Sequence, residues 1–319
     1  RGAGAGHAHE VVEGERGADE DGGGHTSVRT PTPPRSGIGL GVRHAWLASS
    51  LLLAIGCSGE VLPSPSEVRT LRVVALVTDT PEIAPGASAR VTAAWVDPTP
   101  GRSIRTRWQL CAEADVADPR DCPTSPYAAD LGEGRAVTTP SLPRVGTYFV
   151  LVAACANASP VLDRPPGHWR CSDGTPAEEV FRRIRVTADG PRNRAPVIAS
   201  WEFARGDASV AVPAEDDASV TLPGCDGGLC GVWSVRVRPA GDAAESLPDG
   251  GRELLSASFY VTEGTTDSPR AFADAGGASE LAVRWTPRAG VASAEVWVVL
   301  RDQRGGETAR GARVTGSGR

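Results

Sequence analysis

Six cysteines lie beyond residue 100 in three close pairs: Cys111 with Cys122, Cys155 with Cys171, and Cys225 with Cys230. Thiols placed this way can crosslink or hold a metal. The spacings are not those of paired C-x2-C zinc knuckles, and histidine is scarce, so no metal site is expected. An even number of thiols reads instead as a disulfide framework, provided the chain is exported. Each pair brackets a loop between strand-like runs, which predicts Cys111–Cys122, Cys155–Cys171 and Cys225–Cys230. In the first two loops a crosslink removes about 3 kcal/mol of unfolded-chain entropy. The tight turn PGCDGGLCG gains less. Four of the five histidines precede residue 45, so a nucleophilic triad in the remaining chain would have to use His168. That residue sits in PPGHWRC, and no G-x-S-x-G elbow occurs in the chain. We therefore expect no catalytic residue and no cofactor. His168 and Trp169, on the long loop between residues 156 and 178, form a candidate binding edge, because loops on rigid scaffolds often carry function.

Composition narrows the partners. The 319 residues contain no lysine and no methionine, and 33 arginines face 39 acids for a net charge of −6. An acidic chain without lysine excludes nucleic acid as the main partner. Glycine and proline number 38 and 26, yet 40% of residues are hydrophobic, enough to bury a core.

One segment addresses the chain to a membrane. Ala45 to Gly56 is uncharged, follows Arg43 and His44, and is too short for a bilayer-spanning helix, which needs about 20 apolar residues. It has the length and flanks of a signal-peptide core. Ala54-Ile55-Gly56-Cys57 resembles the lipobox of bacterial lipoproteins, with alanine where the motif usually carries leucine. The resemblance implies a signal peptide over 42–56 and lipidation of Cys57. Ser58 stands where aspartate would signal inner-membrane retention, so the outer membrane is the expected location. Residues 1–41, rich in glycine and charge, are expected to be a disordered leader or a gene-model extension, and 57–69 a lipidated tether.

Beyond the tether, short alternating runs are separated by glycine, proline and aspartate, which predicts an all-β fold of sandwich type. In ARVTAAWV, Val91, Ala93 and Trp95 share one face, as a period of two requires. Six such runs fall between Thr70 and Thr187 and seven between Val197 and Thr315. Asp189 to Pro196 combines turn formers at the boundary. Trp108 in RTRWQLC and Tyr148 in GTYFVLV stand where immunoglobulin-like domains place a core tryptophan and a late-strand tyrosine. NRAPVI and SAEVWVVLRDQRGGETARGARVT resemble the opening and closing hairpin of bacterial immunoglobulin-like, polycystic-kidney-disease-like and cadherin-like repeats. The whole is similar to a myxobacterial-type surface lipoprotein with two tandem immunoglobulin-like domains, 70–188 and 197–319, joined by a linker at 189–196.

This resemblance implies a non-enzymatic cell-envelope protein, attached to the membrane by lipid, with a structural, adhesive or accessory-binding role. Its partner would be an envelope protein or polysaccharide. An alternative is carbohydrate binding through exposed tryptophans. It requires at least two of Trp169, Trp201, Trp233 and Trp297 to share one open face. Some cadherin-like repeats bind calcium, for which Asp189, Glu215, Asp216, Asp217 and Asp302 would be the candidates. The regular D-x-D spacing is missing, and solvated acidic turns are expected there.

Overall fold

The computed structural model describes residues 64–163, 167–190, 192–215, 218–224, 228–247, 250–273 and 280–317. The signal segment and Cys57 lie outside the described residues. All of these residues belong to one compact unit, 61–319.

Ten strands make the first half, eight in a sandwich and two in a hairpin. They are β1 (Arg72–Thr78), β2 (Glu82–Ile83), β3 (Arg90–Val96), β4 (Ile104–Ala112), β5 (Ala129–Gly132), β6 (Ala136–Thr138), β7 (Gly146–Ala156), β8 (Pro160–Leu162), β9 (Trp169–Cys171) and β10 (Glu178–Val186). Sheet order is β1-β3-β6 facing β2-β10-β7-β4-β5, with β8 and β9 as a separate hairpin. The second sandwich uses β11 (Ile198–Arg205), β12 (Ala208–Ala211), β13 (Ala218–Pro223), β14 (Trp233–Pro239), β15 (Ser256–Val261), β16 (Thr265–Thr266), β17 (Arg270–Phe272), β18 (Leu281–Thr286), β19 (Ser293–Arg301) and β20 (Glu307–Ser317). Its sheets are β12-β11-β14-β18-β16 and β13-β20-β19-β15-β17.

The two wirings agree. In each, successive strands cross between layers (β3 to β4 and β6 to β7, then β14 to β15 and β18 to β19), as in immunoglobulin-like sandwiches. In each, an early strand pairs parallel with the last one, β2 with β10 and β13 with β20. The protein is all-β, two tandem immunoglobulin-like sandwiches. All thirteen runs expected from alternation are strands here. The short edge strands β2, β5, β12, β16 and β17 are additional, because two to four residues carry too little alternation to read.

Alternation fills the cores. Val91 and Ala93 point inward with Leu110, Val150, Val152 and the fully buried Trp108, whose indole N–H donates to the Gly134 carbonyl at 2.7 Å. Tyr148 donates its hydroxyl to the Arg144 carbonyl at 3.3 Å, the tie-back of a tyrosine corner. In the second sandwich the large core aromatics are Trp233, Trp285, Phe203 and Phe259. Here the two fully buried tryptophans sit on β14 and β18, in the sheet opposite to the one that carries Trp108 in the first sandwich.

The sandwiches are not beads joined by a free linker. The outer faces of β1 and β3 lie against the outer faces of β15, β19 and β20, burying Val68, Val74, Ala75, Ala94, Val96 and Val299 with Tyr260, Trp297 and Ala309 around them. Arg72 crosses this seam to stack 5.3 Å from the Tyr260 ring centroid. The end of the expected tether is docked as well: Val68 donates to the Val261 carbonyl and Val261 donates to the Ser66 carbonyl, both at 2.8 Å. Those unpaired groups on β15 attract the chain, so 66–68 is part of the fold. Within the expected linker, Asn193 is buried. Its backbone amide donates to Glu82 at 2.8 Å and its side chain to Asp302 at 3.1 Å.

Candidate functional site

The face shared by β19 and β20 decides what this protein can bind. Along β19, residues 295, 297, 299 and 301 project outward, and the antiparallel register sets them opposite 313, 311, 309 and 307. The cross-strand pairs are therefore Glu295 with Arg313, Trp297 with Gly311, Val299 with Ala309, and Arg301 with Glu307. The first sandwich covers the last two pairs. Trp297 and Gly311 lie at its margin, partly beneath it, and the Glu295 and Arg313 pair lies on their other side.

The covered half is held by charge. Arg301 donates to Glu307 at 3.0 Å, to the Ser258 hydroxyl at 3.0 Å and to the Val74 carbonyl at 3.0 Å. Arg182 of β10 reaches Glu307 at 3.4 Å, and burial pulls its guanidinium below the usual arginine range. Beside them Arg304 holds Glu82 at 2.5 Å and Glu245 at 3.3 Å, with Glu253 at 3.7 Å. A guanidinium thus occupies the centre of the acidic cluster, where a calcium site would need an ion and converging oxygens. Burial raises the carboxyl of Asp302 and that of Glu253. Among the described residues no three His, Cys, Asp or Glu side chains converge as metal ligands. Asp189 and Glu215 are exposed, and Asp216 and Asp217 lie outside the described residues.

The uncovered half is an open groove. Trp297 is half-buried, and its indole lies directly on Gly311, where a Cβ would come within 2.5 Å of the ring. A cavity of about 390 Å³ opens on one side, lined by Ser219, Glu295, Trp297, Gly311 and Arg313. A second, of about 460 Å³, opens on the other, between Trp297 and Gly311 below and Arg90, Thr92 and Arg135 of the first sandwich. Both sandwiches are required to form it.

Other sequence candidates are placed differently. Cys111 is bonded to Cys122 and Cys155 to Cys171, with Cα separations of 5.8 and 5.6 Å. Cys230 is also disulfide-bonded, and its expected partner Cys225 lies outside the described residues. The Cys111–Cys122 loop is organised by Asp118, which accepts from the side chain and amide of Arg120 and is held at about 2 by those bonds. The Cys155–Cys171 loop folds back onto its sheet through β8 and β9. His168 is exposed on it, but Trp169 is only 7% exposed and packs on Leu151 and Ala153. The two residues do not form a shared edge, because the indole is spent anchoring the hairpin.

The four-tryptophan platform is likewise corrected. Trp201 and Trp233 are 4% and 0% exposed, since both belong to the second core. Only Trp297 of the four offers a surface, so no two share an open face. Sequence reading named Trp297 but missed Arg90, Arg135 and Gly311. The signal available was ARVTAAWV and AEVWVVLR, apolar on both faces, which marks strands covered on both sides.

No family model and no curated protein matches this chain. Among solved structures, it is similar to the adhesin InvE of Yersinia pseudotuberculosis at 14% identity and a TM-score of 0.21, over 75% of this chain and 58% of that one. Drosophila N-cadherin EC1-4 gives 13% identity and 0.21, over 78% and 50%. Escherichia coli alpha-2-macroglobulin activated by porcine elastase gives 9% and 0.23, over 79% and 22%. The chain thus spans less than two thirds of each of these structures, and at such TM-scores the likenesses carry no argument about function.

Proposed function

We propose that this protein is a non-enzymatic, lipid-anchored component of a bacterial cell envelope, held at the outer membrane through Cys57, with an adhesive or accessory-binding role. The observation that carries the reading is the seam. Two sandwiches locked face to face make a stiff unit that presents one composite surface, which suits display and binding. Two disulfides fit an extracytoplasmic chain, and among the described residues no helix is long and apolar enough to cross a membrane. The lipobox-like Ala54 to Cys57 supplies the attachment, since several acyl chains anchor firmly where one does not. Metabolic labelling with a tagged fatty acid, followed by membrane fractionation, tests it. Label and membrane association should both disappear in Cys57→Ser; an unlabelled, freely released wild-type chain would refute the anchor.

A further inference from the structure

We infer that the groove over Trp297 is a binding site for an acidic polysaccharide, a polymer of carboxylated sugars. The inference rests on the reading of this chain as a displayed envelope protein, and names the ligand class and the site.

The groove is cationic on an acidic protein. Arg90, Arg135 and Arg313 line it against the single carboxylate of Glu295, an excess of two positive charges (three minus one). Glu295 and Arg313 neutralise one another only loosely, at 3.8 Å, with Arg313 exposed and Glu295 half-buried. The guanidiniums of Arg90 and Arg135 have no carboxylate partner among the described residues. The Arg90 contact with Asp79 is made by its backbone amide, and Arg135 stacks 5.5 Å from the centroid of Trp95. Both side chains are exposed. Guanidinium forks of this kind pair with carboxylates in a charge-assisted, geometrically specific way.

Between these cations lies the half-open indole of Trp297. Its neighbour Gly311 lets the ring lie flat on the sheet, and cavities open on both sides of it. A flat aromatic surface suits the apolar C–H face of a sugar ring, while the hydroxyls of Ser219 and Thr92 suit sugar hydroxyls. Cations on both sides of one stacking position match a polymer that carries a carboxylate on successive sugars. A peptide is a poorer fit. The floor strands β19 and β20 are each paired on both edges, so the floor has no free backbone groups for an added strand.

The test uses the full chain and polygalacturonate as probe, read by affinity electrophoresis. Its fully methyl-esterified form keeps the rings and loses the charge; polyglutamate keeps the charge and loses the rings. Polygalacturonate should retard the protein in a salt-sensitive manner and the esterified polymer should not. Trp297→Ala should weaken binding about tenfold or more, and Arg90→Gln with Arg135→Gln should do the same, since each charge-assisted contact is worth roughly a factor of ten. The double arginine variant alters exposed side chains and gives up only the Arg135–Trp95 stacking, so it should stay folded with at most a slightly lower melting temperature and keep the test valid should Trp297→Ala fold poorly. Wild-type strength binding in the double variant, equal retention by the esterified polymer, preference for polyglutamate, or no retention would each overturn the assignment. None of these outcomes bears on fatty-acid labelling at Cys57, so the anchor and the groove stand or fall separately.

Discussion

Glu307, on the last strand, accepts a hydrogen bond at 2.8 Å from the backbone amide of Leu76, on the first strand of the first sandwich. β1 is an edge strand, and edge strands carry unpaired amides and carbonyls that invite other chains. Here a carboxylate accepts from the Leu76 amide, and Arg301, bonded to the same carboxylate, donates a hydrogen bond to the Val74 carbonyl. Edge protection and docking of the two sandwiches are one set of contacts.

Removing Glu307 should therefore be costly. Glu307→Ala leaves Arg182 and the Leu76 amide without that acceptor and removes one of the three acceptors of Arg301, and a broken buried ion pair typically costs about 3–5 kcal/mol. Urea unfolding should show that loss together with two separated transitions. A single transition at the wild-type midpoint would show that the seam does not couple the sandwiches.

Gly311 makes room for Trp297. In Gly311→Ala the new Cβ would sit 2.5 Å from the indole, so the ring must leave its seat, at an expected cost of about 1–3 kcal/mol. The ring's fluorescence should shift to the red as it enters water. Unchanged emission and melting would contradict the stacked arrangement.

Stability should rise on mild acidification. Burial, the largest cause at both sites, raises the carboxyls of Glu253 and Asp302, and nearby Arg304 only partly opposes this at Glu253. Between the ordinary carboxylate range near about 4 and the raised folded-state values, the folded protein binds more protons than the unfolded chain, so stability falls as pH rises through that window. A melting profile should decline as pH rises through that window, and Glu253→Gln should flatten the slope. A profile that climbs steadily as pH rises above the ordinary carboxylate range would be incompatible with this.

Reduction should loosen the β8–β9 hairpin first. Cys155–Cys171 closes a 16-residue separation, worth about 3 kcal/mol of chain entropy, and beyond it the hairpin is held by the packing of Trp169 and Leu162 and the bond from the Trp169 amide to Glu179. Mild reductant should open this loop to proteolysis before the strands beneath it. Equal resistance with and without reductant would indicate that packing suffices.

Much of the fold was legible because alternation is local. Val91, Ala93 and Trp95 announce a strand face without reference to any other residue, and the cysteine pairs lie close enough along the chain to suggest their partners. The site was legible only in part. Trp297 stood out as an aromatic, but so did Trp201 and Trp233, and a strand face turned to the core reads the same as one turned to a groove. Arg90 and Arg135 looked like ordinary surface charges among 33 arginines.

By itself the sequence determined the strands, their faces, the three-pair arrangement of cysteines and the lipobox-like segment, all properties carried within a few consecutive residues. Tertiary structure alone decided that Glu307 meets Leu76 and that Arg304 fills the acidic cluster. It also decided that Arg90 and Arg135 stand beside Trp297. Those pairs are separated by up to 231 residues along the chain. Their meeting depends on which outer faces pack together, a choice made by summed burial and charge across the seam that no local pattern encodes.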